Sequence, residues 1–229
     1  TEIGRAAFKA DQVIHYMNIE PVQFVGLPET IRVIGDGAFE GLRNNTIDLS
    51  YYPQLQSIGD YAFSSNRAHN SKPFTITADM HVGEGAFSET DLTEVVFTEG
   101  VTHIRSHLFR GSKIQDVTIP STVTTIGDSA FSNSALTSVL LSEGVQTIEE
   151  RAFASSKLTS IRIPSTVQTI GTAAFAYNEM ERVELAEGVR SIGVNAFMDN
   201  HITYLHIPKS VIDIGDRAFS QNQLTTATV

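Results

Sequence analysis

The sequence contains no cysteine and no tryptophan. Disulfide bonds and thiolate metal sites are therefore excluded. Basic residues are scarce, with 16 Lys and Arg against 26 Asp and Glu, which gives a net charge of −10. This charge argues against nucleic acid or an anionic membrane surface as a partner. No apolar run approaches the ~18 residues that a membrane-spanning helix needs, so membrane insertion is not expected.

Recognisable catalytic motifs are also missing. The sequence has no phosphate-binding loop, dinucleotide fingerprint, nucleophile elbow or zinc-protease motif. His103 and His107 have a spacing that could hold a metal on a helix, but the repeat described below places them across a bend, which favours surface histidines. Acidic residues near each bend allow either calcium binding or helix capping, and without a glycine-spaced calcium loop we favour capping. We therefore expect no enzyme activity, no metal site and no cofactor.

What the sequence does contain is a repeat marked by phenylalanine. Ten of its 13 phenylalanines fall in one column. The gaps are 31, 24 and 24 residues at first and then a constant 22, and the members are Phe8, Phe39, Phe63, Phe87, Phe109, Phe131, Phe153, Phe175, Phe197 and Phe219. A fixed period of this length indicates a solenoid with one continuous core.

Each regular copy can be interpreted in the same way. The apolar pattern Leu92-x-x-Val95-x-Phe97 predicts a strand with one buried face, and successive strands are expected to form a parallel sheet. A short extended segment follows, and then Gly-Asp-x-Ala-Phe, in which Asp has the character of a helix N-cap, so we predict a one-turn helix there. A polar column three residues after each Phe is expected to bond the backbone of the bend. Its members are Thr90, Ser112, Ser134, Ser156, Asn178, Asn200 and Asn222.

A longer period of 44 residues is superimposed on the repeat. Pro120, Pro164 and Pro208 end every second strand, because proline has no N–H for a ladder. In the coils between them Glu-Gly pairs make the turn, as at Glu143 and Gly144. Two explanations of this alternation remain open. Placing the glutamates in every second coil separates them by ~10 Å and so reduces their repulsion; alternatively, the repeat arose by duplication of a two-coil unit.

The regularity varies along the chain. The sequence of residues 1–21 predicts an irregular first coil with an amphipathic helix. Irregular repeats follow over residues 22–91, and residues 92–229 keep a strict 22-residue register. The polar segment Ser64–Pro73 predicts a protruding loop. Because the sequence opens inside a repeat, it is expected to be a fragment of a longer protein. Its last strand, ending at Val229, would leave an open edge capable of edge-to-edge self-association.

The pattern Leu-x-x-Val-x-Ile-Pro-x-x-Val-x-x-Ile-Gly-x-x-Ala-Phe-x-x-Asn resembles the BspA-like, or Treponema-type, leucine-rich repeats. The resemblance covers roughly residues 22–229. It implies a single leucine-rich-repeat domain over 1–229, an α/β repeat solenoid coiled to the right, with a parallel sheet on the concave face and short extended segments and helical turns on the convex face. It also implies a secreted or bacterial cell-surface location and adhesion to host or extracellular matrix proteins.

The concave face offers candidate binding residues. Small Ser and Thr recur at its outward positions, and against them five unusual side chains cluster on three adjacent strands: Arg162, Arg182, Glu184, Tyr204 and His206. Arg and Tyr are enriched at binding hot spots. A simpler alternative is a cross-strand Arg162–Glu184 pair that needs no ligand. We therefore predict a non-enzymatic protein-interaction module, with a passive spacer or stalk, or a carbohydrate-binding module, as the alternatives.

Overall fold

A computed structural model describes residues 1–9, 27–42 and 47–229. The chain forms a parallel β-solenoid of about nine turns with almost no helix, which confirms the predicted leucine-rich-repeat coil. In the described ranges the only helical segment is the 3₁₀ helix Leu49–Tyr51. The amphipathic helix expected after Phe8 lies mostly outside the described residues.

Short strands form the convex row of the coil. They are β1 (Glu2–Ile3), β2 (Val33–Ile34), β3 (Ser57–Ile58), β5 (His81–Val82), β7 (His103–Ile104), β9 (Thr125–Ile126), β11 (Thr147–Ile148), β13 (Thr169–Ile170), β15 (Ser191–Ile192) and β17 (Asp213–Ile214). Each pairs in parallel with the equivalent strand of the next coil, from β1 to β5 and again from β7 to β17. Most of these strands end in an apolar residue that points into the core, such as Ile126 opposite Ile148.

Longer strands form the concave row. They are β4 (Phe74–Ile76), β6 (Val95–Phe97), β8 (Asp116–Ile119), β10 (Ser138–Leu141), β12 (Ser160–Ile163), β14 (Arg182–Leu185), β16 (Tyr204–His206) and β18 (Thr226–Thr228). The sequence predicted one continuous parallel sheet here, but these strands are hydrogen-bonded only in twos: β4 with β6, β8 with β10, β12 with β14, and β16 with β18.

Proline explains where this sheet is interrupted. The residue after β10 donates its N–H to the preceding coil, from Ser142 to the Ile119 carbonyl at 3.2 Å, and Ala186 does the same to Ile163. Pro164 occupies the equivalent position after β12 and has no N–H to donate. The predicted strand-ending role of proline is thus confirmed, and its effect reaches the neighbouring strand as well.

The turns that follow the concave strands, here called corners, are hydrogen-bonded across the coils that proline leaves unpaired. Glu143 accepts hydrogen bonds from the Ser165 hydroxyl at 2.9 Å and the Thr166 N–H at 3.3 Å. In return the Gly144 N–H donates to the Thr166 hydroxyl at 2.9 Å. Similar bonds join Glu99 to Ser121 and Glu187 to Ser210. A Glu-Gly corner therefore binds the Pro-Ser-Thr or Pro-Lys-Ser corner of the next coil, which gives the alternation a structural reason that neither sequence-based explanation contained.

Gly144 is required at this corner by space and by conformation. Its φ is 138°, and a Cβ atom there would lie 1.9 Å from the Ser121 carbonyl oxygen. We expect Gly144→Ala to lower the free energy of unfolding by about 1–3 kcal/mol, the usual cost of forced overpacking. Urea melts would measure it. Gly4→Ala is the matched control, because nothing lies within 4 Å of its added Cβ. Equal stability of the two variants would contradict this account.

The Glu143 corner should also respond to pH. The hydrogen bond from Ser165, followed by those from backbone N–H groups and the charge of Arg162, lowers the pKa of Glu143 from its ordinary 4.5. A lowered folded-state pKa stabilises the protein above the unfolded pKa, and this contribution is lost as pH falls through the folded-state pKa. Glu143→Gln should therefore be less stable than wild type at neutral pH, with the difference shrinking in acid. Glu179→Gln is the control, because Glu179 is exposed and its side chain has no hydrogen bond or ion pair with the described residues. A stability loss in Glu143→Gln that does not change with pH would contradict the prediction.

The phenylalanine column is the centre of the core. Rings of consecutive coils stack with centroids 5.2–5.8 Å apart and planes within 19° of parallel. Alanine precedes every ring except Phe109, and most of these alanines are fully buried, as at Ala152 and Ala174. Offset stacking at such distances is favourable beyond the burial of apolar area.

The bend that carries each phenylalanine is not the helix predicted from its sequence. The residue two before each ring has φ between 49° and 58°, for example 53° at Ser129. Left-handed residues interrupt a helix, so the bend is a series of turns, as from Ala130 N–H to Gly127 O at 3.2 Å. Its other N–H groups donate to the next coil, as from Phe131 to Ala152 at 2.8 Å. Asp36 likewise accepts from the Asp60 N–H in the next coil rather than capping a helix.

The polar column bonds the bend at most of its positions, but the buried Ser112 hydroxyl has no hydrogen-bond partner among the described residues. The Asn178 side-chain amide donates to the Phe153 and Phe175 carbonyls at 2.9 and 3.1 Å, and its oxygen accepts from the Leu158 N–H. Ser156 makes only one of these contacts, to the Phe131 carbonyl at 3.1 Å. Asparagine is therefore the better residue in this column, because one side chain serves both a carbonyl and an N–H of neighbouring coils.

The loop predicted at Ser64–Pro73 does not protrude. Asn66 is buried and donates to the Phe39 carbonyl, so it belongs to the polar column. Ala68 is fully buried at a core position, and Asn70 donates to the Glu94 carbonyl at 2.9 Å. This prediction was wrong because the polar residues that look like a loop in sequence here bond the backbone of adjacent coils.

A central phenylalanine should contribute more to stability than one at the start of the column. Phe153 is fully buried, whereas Phe8 is 41% exposed. Phe153→Ala is expected to cost ~3–5 kcal/mol, the range for truncating a buried Phe. Phe8→Ala should cost clearly less. Urea melts of both variants test this, and comparable losses at the two positions would show that the column is not packed best in its middle.

Candidate interaction surface

Strand alternation places the five candidate residues on one exposed face. In β14, Val183 and Leu185 are buried, while Arg182 and Glu184 point outward. Arg162 lies opposite Glu184 in the register of β12 and β14. The next strand, β16, brings its outward side chains, Tyr204 and His206, beside them. The structure therefore places these five residues on three adjacent strands.

The ionic contacts on this face differ from the pair expected from sequence. Glu184 forms its ion pair with Arg182 of its own strand, and it forms no ion pair with Arg162. Arg162 is exposed and makes no ion pair with any described residue. Its charge contributes to the lowered pKa of Glu143, after the larger effect of the Ser165 hydrogen bond. An exposed guanidinium that forms no ion pair can bind a carboxylate of another molecule.

Tyr204 and His206 are held by the last strand. The Tyr204 hydroxyl lies 3.3 Å from the Thr228 hydroxyl, and the His206 Nδ1 lies 2.9 Å from the same atom. Tyr204 still keeps 54% of its surface exposed. Both rings are thus oriented by the protein and accessible to a partner.

Two apolar residues of this face were not selected from the sequence. Leu140 is 61% exposed and stands in the same outward column as Arg162, one strand away. Val96 is 43% exposed further along that column. The signal was present in the column itself, because large aliphatic side chains stand at positions otherwise filled by polar residues. Leu140 extends the candidate surface with an apolar contact.

Titratable groups elsewhere link coils to one another. The Tyr61 hydroxyl donates to Glu84 at 2.8 Å, and this bond, with burial, raises the pKa of Tyr61 to about 12. His107 Nδ1 lies 3.4 Å from the same carboxylate, while the His103 ring bonds the Thr102 hydroxyl, so the histidines do not converge. Among the described residues no group of three or more His, Asp or Glu could hold a metal ion.

A family model for the BspA-type leucine-rich repeat region matches residues 1–115 and 102–226. The chain belongs to this family. Its repeats are those of leucine-rich-repeat proteins, which commonly bind other proteins, and the family is generally non-catalytic. The resemblance inferred from the repeat pattern is therefore confirmed.

Solved structures of bacterial leucine-rich-repeat proteins share the fold. A protein from Bacteroides ovatus is 18% identical, with a TM-score of 0.58 over 86% of this chain and 69% of that chain. One from Eubacterium ventriosum is 23% identical, with a TM-score of 0.54 over 86% and 59%. The pneumococcal vaccine antigen PcpA is 18% identical, with a TM-score of 0.54 over 76% and 56%.

This chain thus spans somewhat more than half the length of the latter two proteins. No curated protein matches it. Within the part of the chain that the structure describes, no helix has both the length and the apolar character needed to cross a lipid bilayer.

Proposed function

We propose that this domain is a non-enzymatic protein-interaction module of a secreted or cell-surface bacterial protein, and that it binds a host or extracellular matrix protein through its concave face. The observation that carries the proposal is the accessible cluster of Arg162, Arg182, Glu184, Tyr204 and His206, with Leu140 at its side. Family membership supports a surface location, because BspA-like repeats are typical of secreted and surface proteins.

The physical case rests on rigidity and on side-chain type. Each cluster residue stands on a strand whose alternate side chains are in the core, so binding orders little of the backbone. Tyr and Arg supply most of the energy at known hot spots. An apolar Leu140 beside a cationic Arg162 fits a partner surface with an acidic group next to an apolar one.

Binding measurements against a panel of matrix and host-surface proteins would test this proposal. We expect Tyr204→Ala and Arg182→Ala each to weaken binding by about 1–2 kcal/mol or more, the hot-spot range. Thr118→Ala on β8, an outward residue of the same face, is the matched control and should bind like wild type. Urea melts should show unchanged stability in all three, because none of these side chains is buried.

Two results would contradict the proposal. If a partner binds and both Tyr204→Ala and Arg182→Ala bind it like wild type, the concave cluster is not the contact surface. If the wild-type domain binds no member of a broad panel, the passive spacer becomes the better interpretation. In the first case the next surface to mutate is the exposed part of the segment Ser64–Pro73, which consists of Arg67, Ser71, Lys72 and Pro73.

A further inference from the structure

From β2 to β17, neighbouring described strands of the convex row are hydrogen-bonded to one another with one exception. The exception is the pair β5 and β7. Elsewhere the residue after the strand donates its N–H to the preceding coil, as from Gly83 to Ile58 at 2.9 Å and from Gly127 to Ile104 at 2.8 Å. The equivalent bond would run from the Arg105 N–H to the Val82 carbonyl. It is not made, which leaves both groups without a backbone partner among the described residues.

A shortened connection causes this interruption. Phe97 and Ile104, like Ile119 and Ile126, are separated by one residue more than Ile76 and Val82. The turn itself is retained, since the Met80 N–H donates to Thr77 at 3.1 Å. The residue that is missing therefore falls between this turn and β5. With a shorter segment, β5 does not reach the register in which β7 could pair with it.

A cavity of about 150 Å³ opens where the two strands part. Its apolar lining comes from both coils and consists of Ile76, Met80, Val82, Phe97, Val101 and Leu108. On the phenylalanine side the same two coils remain in contact, since Phe87 stacks on Phe109 with ring centroids 5.7 Å apart. These apolar side chains form part of a lining that also contains polar groups. A ligand whose apolar part packs against them would gain contacts that the open space lacks.

The rim of the cavity has the character of an anion site. Its polar side chains include His81, His103 and Arg105, and the lining contains no acidic residue. The Arg105 guanidinium has no hydrogen bond or ion pair with any described residue, and its backbone N–H is the one left unpaired by the interruption. In a protein with a net charge of −10, this local excess of donors and positive charge favours a carboxylate.

We propose that this cavity binds a small monocarboxylate with a compact apolar body. The volume sets the size, because a cavity of ~150 Å³ accommodates a benzene ring. The carboxylate accepts from the Arg105 guanidinium and backbone N–H, and the apolar body lies against Phe97 and Leu108. The ligand then contacts both coils, so it stabilises the place where the convex row is open. This site is separate from the concave face and independent of the proposed protein binding.

Phenylacetate and its neutral counterpart phenylacetamide are suitable probes, since they share the ring and differ in the charged group. In amide NMR titrations of the wild-type domain, phenylacetate at millimolar concentration should give saturable shifts centred on His81–Val82 and His103–Arg105. Hydrogen exchange at these residues should slow. Phenylacetamide should bind at least about tenfold more weakly, because it cannot form the charge-assisted bonds.

Two substitutions locate the site. Arg105→Gln should weaken phenylacetate binding by about tenfold or more and leave phenylacetamide unaffected. Arg190→Gln, an exposed arginine on a later coil, is its matched control and should bind like wild type. Val101→Phe places a ring in the cavity and should abolish binding of both probes. If that variant fails to fold, the Arg105→Gln comparison still decides, since this exposed side chain has no hydrogen bond or ion pair with the described residues to lose.

The proposal is overturned by any of three results. Phenylacetate could give no saturable shifts in the wild-type domain. Both probes could bind equally well, which would remove the carboxylate from the ligand class. Finally, Arg105→Gln could bind phenylacetate like wild type, which would remove the assigned anion contact.

Discussion

The stacked phenylalanine column is the interaction on which the rest of this protein depends. A single coil cannot bury a phenylalanine ring, and each ring is covered only because another lies 5.2–5.8 Å above or below it. The column also fixes where the chain must bend, since every bend points one ring inward. The alternate N–H groups of that bend then bond the next coil, so that packing and backbone bonding enforce the same spacing.

Two kinds of contact alternate along the concave side. Strands join a proline-ended coil to the following Glu-Gly coil, and corners such as Glu143 with Thr166 join that coil to the next proline-ended one. A missing N–H at Pro164 is therefore compensated one corner away rather than within the sheet. The face that results is supported from below by core residues, and its outward side chains are exposed. Arg162 and Tyr204 can therefore stand on it without disturbing the fold.

The family, the register and the core were predictable because they depend on repetition. A residue type that returns every 22 positions in a chain must occupy equivalent places, so the buried phenylalanines, the polar column and the outward columns could be assigned from spacing alone. The same 22-residue spacing also predicted one cluster on the concave face: Arg162, Arg182, Glu184, Tyr204 and His206. Predictions based on local residue type were less successful: Asp before Ala-Phe resembled a helix cap, and Ser64–Pro73 resembled a loop.

By itself, then, the sequence determined which residues share a column and which of them are buried, because a constant period converts sequence position into spatial position. Only the tertiary structure decided which neighbours bond. The partner of Glu184 is Arg182 rather than Arg162, and the partner of Asp36 is the N–H of the next coil rather than of its own bend. The opening between β5 and β7 depends on one residue less in a connecting segment, and its consequence appears only where two coils are packed together. These partners and this opening depend on distances between atoms of different coils, and the sequence of a single repeat does not specify such distances.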